Sequence, residues 1–274
     1  MPALREKAEI LRKLHAGPRI LVLTNAWDAA SARVIQAAGF PAVATSSAGI
    51  AYVLGYPDGQ RISRAEMLDM VRRIAASVDV PVSADVEAGY GTTADAAAET
   101  ARGVVAAGAA GMNLEDVDDR GELLPVDRQV ERLRAVRAAA DALGVPLVVN
   151  ARTDTFGVPS LAPSDAPDEA VRRANAYLAA GADCAFVPFV RDRDAIARLA
   201  RDVAGPLNVL GLPGAPPVAE LEKLGVRRVT VGSGVARAAY GLARRIALEL
   251  RDAGTYGALG EGALSYAEMQ ALMS

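Results

Sequence analysis

Eight short runs rich in β-branched and apolar residues, separated along most of the chain by segments with helical spacing, constrain this sequence more than any other feature. The runs are Ile20 to Asn25, Ala42 to Ser46, Pro81 to Val86, Gly111 to Glu115, Pro146 to Ala151, Cys184 to Pro188, Pro206 to Leu210 and Arg228 to Gly232. Helical patterns fall between or after them, as at Arg64 to Val78, Thr93 to Ala107, Asp127 to Leu143, Asp168 to Ala180 and Val235 to Arg251. The runs are continuously apolar, the pattern of parallel strands covered on both faces. Several helical segments end in glycine, as at Ala38-Gly39-Phe40 and Ala180-Gly181-Ala182, where a left-handed turn returns the chain to the sheet. Eight βα units in 274 residues fit one (β/α)8 TIM barrel. A doubly wound open sheet would carry Gly-x-Gly-x-x-Gly after its first strand, and this chain does not. The expectation is an α/β protein with a single barrel domain over residues 1–274. Residues 1–16 read as an extra helix capping the barrel bottom, with His15 as a surface residue. Residues 253–274 form a glycine-punctuated tail with a short Ser265 to Met273 helix, which either packs against a neighbouring subunit or frays.

Composition narrows the function. Thirty Lys plus Arg against 33 Asp plus Glu give a net charge of -3, so no basic field exists to hold a nucleic-acid backbone. The single cysteine, Cys184, excludes an internal disulfide framework and a multi-cysteine metal cluster, and reads as a buried thiol in a reducing compartment. The first residues, Met1 to Lys7, lack an apolar signal core, and no stretch reaches the roughly 18 apolar residues of a membrane span. These features point to a cytoplasmic protein whose partner is a small molecule, neither nucleic acid nor membrane.

In a barrel, chemistry belongs at the C-terminal ends of the strands and the loops after them. The third run ends Asp85-Val86-Glu87-Ala88-Gly89-Tyr90-Gly91, and residues two apart on a strand face the same side, so Asp85 and Glu87 converge. The fourth ends Asn113-Leu114-Glu115-Asp116 and the fifth Asn150-Ala151-Arg152-Thr153-Asp154, while Asn208 lies on the seventh. Asp85, Glu87 and Glu115 are hard oxygen donors with no His or Cys beside them, a set suited to Mg2+ or Mn2+, directly or through water. Asp116 reads instead as a helix cap or an arginine partner. Arg152 is either the counter-ion of the acidic group or a bidentate grip on a substrate carboxylate. Asp28 is placed to cap the helix after the first strand. Trp27 either walls the pocket or packs structurally, and Tyr90 shapes the site, donates a proton or plugs its turn. Ser160 to Pro167 and Leu210 to Pro217 are candidate rim segments.

The motifs Thr45-Ser46-Ser47-Ala48-Gly49, Leu54-Gly55-Tyr56-Pro57-Asp58, Ala84-Asp85-Val86-Glu87-Ala88-Gly89-Tyr90-Gly91, Gly108 to Asp116 and Ala151-Arg152-Thr153-Asp154 stand in a characteristic order. Together they resemble the isocitrate lyase/phosphoenolpyruvate mutase superfamily over about residues 20–245. The resemblance implies a Mg2+-dependent barrel enzyme that makes or breaks a C–C or P–C bond beside a 2-oxo acid. It implies Asp58, Asp85, Glu87 and Glu115 as the metal site, several of them acting through water. It places the substrate carboxylate on Thr45, Ser46 and Ser47, with Asp85, Arg152 and Asn208 also facing substrate. Arg152, Asp58 and Glu115 are the implied catalytic residues, and the metal and Arg152 would stabilise an enolate oxygen.

Departures from that pattern narrow it. The C–C lyases of the family carry a Lys-Lys/Arg-Cys-Gly-His loop after strand four. Here the loop reads Glu115-Asp116-Val117-Asp118-Asp119-Arg120-Gly121-Glu122, without cysteine or histidine. A Phe-Pro-Glu run after strand six is replaced by Val187-Pro188-Phe189, and Asn113 stands where a family histidine precedes the strand-four glutamate. The expected activity is therefore a lyase or decarboxylase of a small 2-oxo acid or dicarboxylate, with oxaloacetate first and 2-oxoglutarate a further ligand. Phosphonopyruvate-type P–C chemistry, residual isocitrate-type cleavage and a non-catalytic 2-oxo acid binding barrel are the alternatives. Family members often exchange their last barrel helix between subunits, which implies a homo-oligomer, dimer or tetramer.

Overall fold

The computed structural model describes residues 2–274. Its sheet is wholly parallel, with strands β1 (Leu21–Leu23), β2 (Asn25–Ala26), β3 (Val43–Thr45), β4 (Val82–Asp85), β5 (Gly111–Glu115), β6 (Val148–Arg152), β7 (Cys184–Val187), β8 (Leu207–Leu210) and β9 (Arg228–Thr230). Their order is β1-β9-β8-β7-β6-β5-β4-β3-β2. The first apolar run is broken at Thr24 into β1, which pairs with β9, and β2, which pairs with β3. That run therefore joins both ends of the sheet and closes the barrel, so eight runs yield nine strands.

Helices follow the strands: α2 (Ala29–Ala37) after β2, α3 (Ser47–Val53) and α4 (Arg64–Ser77) after β3, α5 (Ala94–Ala106) after β4 and α6 (Val126–Ala142) after β5. Then come α7 (Ala166–Ala179), α8 (Arg193–Asp202), α9 (Val218–Leu224) and α10 (Gly234–Asp252). Short polar residues cap several of them. Asp28 and Ser31 form a capping box on α2, Ser63 and Glu66 form another on α4, and Thr93 caps α5. The core fills the barrel and the space between sheet and helices, with Leu23, Ile50, Met67, Ile74, Met112, Leu114 and Leu147 almost wholly buried.

Helix α1 (Pro2–Ala16) lies across the barrel bottom and buries Leu4, Ala8, Leu11 and His15. This corrects the reading of His15 as a surface residue. Its Nδ1 lies 2.8 Å from the Leu11 carbonyl and its Nε2 3.4 Å from Arg228 Nη1, and it is only 4% exposed. Positions 4, 8, 11 and 15 recur at helical spacing on one face, so the histidine belongs to the stripe that α1 turns towards the barrel.

The outer layer is uneven. Of the 19 residues of α10, only Ala236 is buried, and Val235, Tyr240, Leu248 and Leu250 are exposed. The tail helix α11 (Tyr266–Met273) returns to α2 of its own chain, where Arg33 Nη1 donates to the Leu272 carbonyl at 2.9 Å. No helix among the described residues is long and apolar enough to cross a membrane.

Candidate active site

A chamber of about 130 Å3 opens at the C-terminal end of the strands, walled by Ser46, Ser47, Asp58, Asp85, Asn113, Arg152, Phe186, Pro188, Phe189 and Leu210 among others. Asp85 ends β4 and is fixed from three directions. Its N–H donates to Thr45 Oγ1 at 2.8 Å, and Ser47 donates to its Oδ2 from the backbone N–H at 3.0 Å and the hydroxyl at 2.8 Å. The second carboxylate oxygen, Oδ1, is buried without a partner. Of the three residues expected to hold a substrate carboxylate, Ser46 and Ser47 line the chamber, whereas Thr45 lies behind Asp85 and orients it. Ser46 also accepts the Gly49 N–H as the cap of α3.

Glu87 reaches the same acidic group by a different route from the alternation expected of a strand. Strand β4 stops at Asp85, and Glu87 has φ 52, a left-handed backbone. Gln60 donates its N–H to Glu87 Oε2 at 2.5 Å, and Tyr90 donates its own to Gln60 Oε1 at 2.7 Å. Arg132, fully buried on α6, pins this turn by donating to the carbonyls of Ala88, Gly91 and Glu115. The Gly-Tyr-Gly sequence is needed because Gly91 has φ +150 and a Cβ there would lie 2.7 Å from that of Ala96. Glu87 Oε1 and the Tyr90 hydroxyl are buried and unpartnered.

These carboxyls destabilise one another's charge. Burial, then the charges of Asp58 and Asp85, push Glu87 up to about 7. Asp58, on the loop before α4, is raised by desolvation and by Asp85. Burial raises Glu115 well above its ordinary value, against the pull of Arg152. Orphaned oxygens on Asp85 and Glu87 beside a concentration of repelling carboxyls fit a hard cation. Among the described residues no three His, Cys, Asp or Glu side chains are grouped closely enough to hold an ion alone. A cation here fits with water filling part of its shell, the habit of Mg2+.

Arg152 ends β6 within this acidic surround. Nη1 donates to Glu115 Oε1 at 2.5 Å, and Nε and Nη2 donate to Asp154 Oδ1 at 3.2 and 2.7 Å. Burial opposes its charge, but Asp154 and Glu115 outweigh burial and keep it protonated. Three of its five N–H groups are engaged, which leaves one on each terminal nitrogen for a ligand. Arg152 is thus a counter-ion that retains a free fork, so the two sequence readings are compatible.

Asp154 had no role in the sequence reading and is a principal partner of Arg152. Its N–H donates to Asp116 Oδ1 at 3.0 Å, while Asp116 Oδ2 accepts from Arg173 at 3.0 Å and from the Tyr177 hydroxyl at 2.7 Å. The reading of Asp116 as an arginine partner therefore agrees with the geometry. Asn208 is buried outside the chamber wall, 3.5 Å from Thr230 Oγ1. Trp27 borders a separate groove with Val34, Ile35 and Val235. Cys184 is fully buried, and burial pushes its thiol up to about 12.

Comparison with known proteins agrees with this architecture. The phosphoenolpyruvate phosphomutase family model matches residues 11–251. An oxaloacetate decarboxylase of Bradyrhizobium sp. is 34% identical over 239 residues, covering 83% of this chain and 78% of the relative. The structure of a candidate lyase/mutase from Burkholderia cenocepacia superposes with a TM-score of 0.92 at 37% identity, covering 98% of this chain and 96% of that one. A phosphonopyruvate hydrolase in complex with oxalate and Mg2+ superposes with a TM-score of 0.83 at 28% identity, covering 97% and 94%. With the acidic strand ends, the Arg152 fork and the parallel barrel in place, the chain belongs to the isocitrate lyase/phosphoenolpyruvate mutase superfamily and is an enzyme of its lyase and mutase type.

Proposed function

We propose that the enzyme is a Mg2+-dependent lyase or decarboxylase of a short 2-oxo acid, with oxaloacetate its first substrate, working through an enolate. The observation that carries this reading is the meeting of an unpartnered Asp85 oxygen and a half-free Arg152 in one small chamber. Asp85, with Glu87, Glu115 and Asp58 around it, would hold the ion, partly through water. When bound, Mg2+ supplies Lewis-acid stabilisation of the developing negative oxygen. Arg152 directs its remaining N–H groups at the same oxygen or at a carboxylate, and its pairing with Asp154 and Glu115 fixes that aim before substrate arrives. Ser46 and Ser47 bound the side on which the substrate carboxylate would sit.

P–C bond chemistry is less well supported. Among the described residues Arg152 is the one cation in the chamber wall, whereas Arg120 is turned onto Asp118 at 2.9 Å and Arg128 lies 4.0 Å from Glu131. The relative named an oxaloacetate decarboxylase favours carbon–carbon chemistry. We place the enzyme in the cytoplasm, where Cys184 stays reduced, and as a homo-oligomer in which a second copy covers the apolar residues of α10. Asp85→Ala tests the reading: Mg2+-dependent binding of oxalate, an analogue of the enolate, should be lost, and unchanged binding would overturn it.

A further inference from the structure

Four non-glycine residues among those described have a left-handed backbone: Gln60, Glu87, Tyr90 and Phe189. Such strain concentrates where the surroundings hold a side chain in place for a purpose. The first three hold the acidic turn together. Phe189 lies on the opposite side, directly after β7, with φ 68.

Its ring packs closely against Gly157. A Cβ at residue 157 would sit 2.8 Å from Phe189 Cδ2 and 2.9 Å from Cε2, so glycine is what lets the ring rest there. The centroids of Phe186 and Phe189 are each 5.7 Å from Arg152 Cζ, so both rings lie within cation–π reach of the guanidinium. Phe186, Pro188, Phe189 and Leu210 make this side of the chamber apolar. Phe189 remains 42% exposed, so it stands between the chamber and solvent. A volume of about 130 Å3 is below the roughly 300–1,000 Å3 of pockets for drug-sized ligands.

We propose that Phe189, seated on Gly157 and beside Arg152, is the specificity-determining residue of this site. It closes the chamber with an apolar wall, admits 2-oxo acids of three or four carbons and turns away longer or branched ones. This inference rests on the reading of the site as a 2-oxo acid site. The ring can offer neither a hydrogen bond nor a charge to a remote substituent, so discrimination on this side is by size. A methylene that does not fit such a wall typically changes discrimination by about 10–200-fold.

The test is calorimetric binding to the full chain with Mg2+, using oxalate, pyruvate, 2-oxobutanoate and 4-methyl-2-oxopentanoate as probes. In the unaltered protein, affinity should fall along the 2-oxo acid series as the side chain grows. In Phe189→Ala, the ratio of affinities for 4-methyl-2-oxopentanoate over pyruvate should rise at least tenfold. Phe189→Gly, which suits the left-handed backbone, should give the same change and guards against a folding defect in the alanine variant. An unchanged ratio in both variants, with oxalate still bound, would overturn the role of Phe189 alone. Failure of the unaltered protein to bind oxalate would overturn the 2-oxo acid reading and this inference with it.

Discussion

His15 shows how one buried residue links packing to pH. Burial, then the Arg228 charge, lower its pKa from 6.5 to about 4. Between those values the unfolded chain takes up a proton that the folded one refuses. Its contribution is therefore fully present above about pH 6.5 and is lost as pH falls towards 4. At pH 4.5 the loss attributable to this group is about 2–3 kcal/mol. Urea titrations at pH 7 and 4.5 should show a smaller acid-induced loss in His15→Gln than in the parent, and equal losses would contradict the assignment. Arg152 carries the other prediction at this scale. Lysine offers a point charge in place of a planar fork and cannot engage Asp154, Glu115 and ligand together. Arg152→Lys should lower kcat by roughly 10²–10³-fold in steady-state assays, and a loss below tenfold would argue against a role at the reacting oxygen. The sequence displayed Asp85 and Arg152 because they end apolar runs. It hid Asp154 as a partner because its importance lies in a side-chain contact set by the turn after β6.

At the scale of elements, the turn after β4 and the network behind β5 and β6 hold the chemistry in place. Alternation along a strand led to the right neighbourhood for Glu87 for an incomplete reason, since the strand ends first and a left-handed turn carries the carboxylate there. Gly91→Ala should destabilise the fold by at least about 1–3 kcal/mol, because the new methyl meets Ala96 in a backbone that disfavours it. Arg173 lies behind the site, on Asp116, which is fully buried. Arg173→Ala would leave that carboxylate without its cation and should cost about 3–5 kcal/mol in chemical denaturation. Tyr177→Phe removes one hydrogen bond to it and should cost less. The tight turn was legible from its glycines. The Arg173–Asp116–Tyr177 cluster was legible only as a tendency of Asp116 to pair, because its members are 57 and 61 residues apart.

For the whole molecule, the alternation of eight runs with helical segments was sufficient to read the barrel, because parallel strands need crossovers and closure removes their edges. The division of the first run at Thr24 was not visible, since each half pairs with a different end of the sheet. His15 was misplaced because the apolar stripe of α1 was not extended to it. Helix α10 bears on assembly. Its exposed Val235, Tyr240, Leu248 and Leu250 are residues that the second copy proposed above would cover. Light scattering should give a mass at least twice 28.4 kDa, and Tyr240→Glu with Leu248→Glu should reduce it towards one chain. A monomer in the parent protein would remove this proposal.

The most direct measurement is an NMR time course of oxaloacetate with the Mg2+-loaded protein, against Asp85→Ala and a protein-free blank that corrects for spontaneous decay. The account predicts consumption above both controls, dependent on Mg2+ and lost in Asp85→Ala. Consumption equal to the blank, or an Asp85→Ala protein as active as its parent, would contradict it.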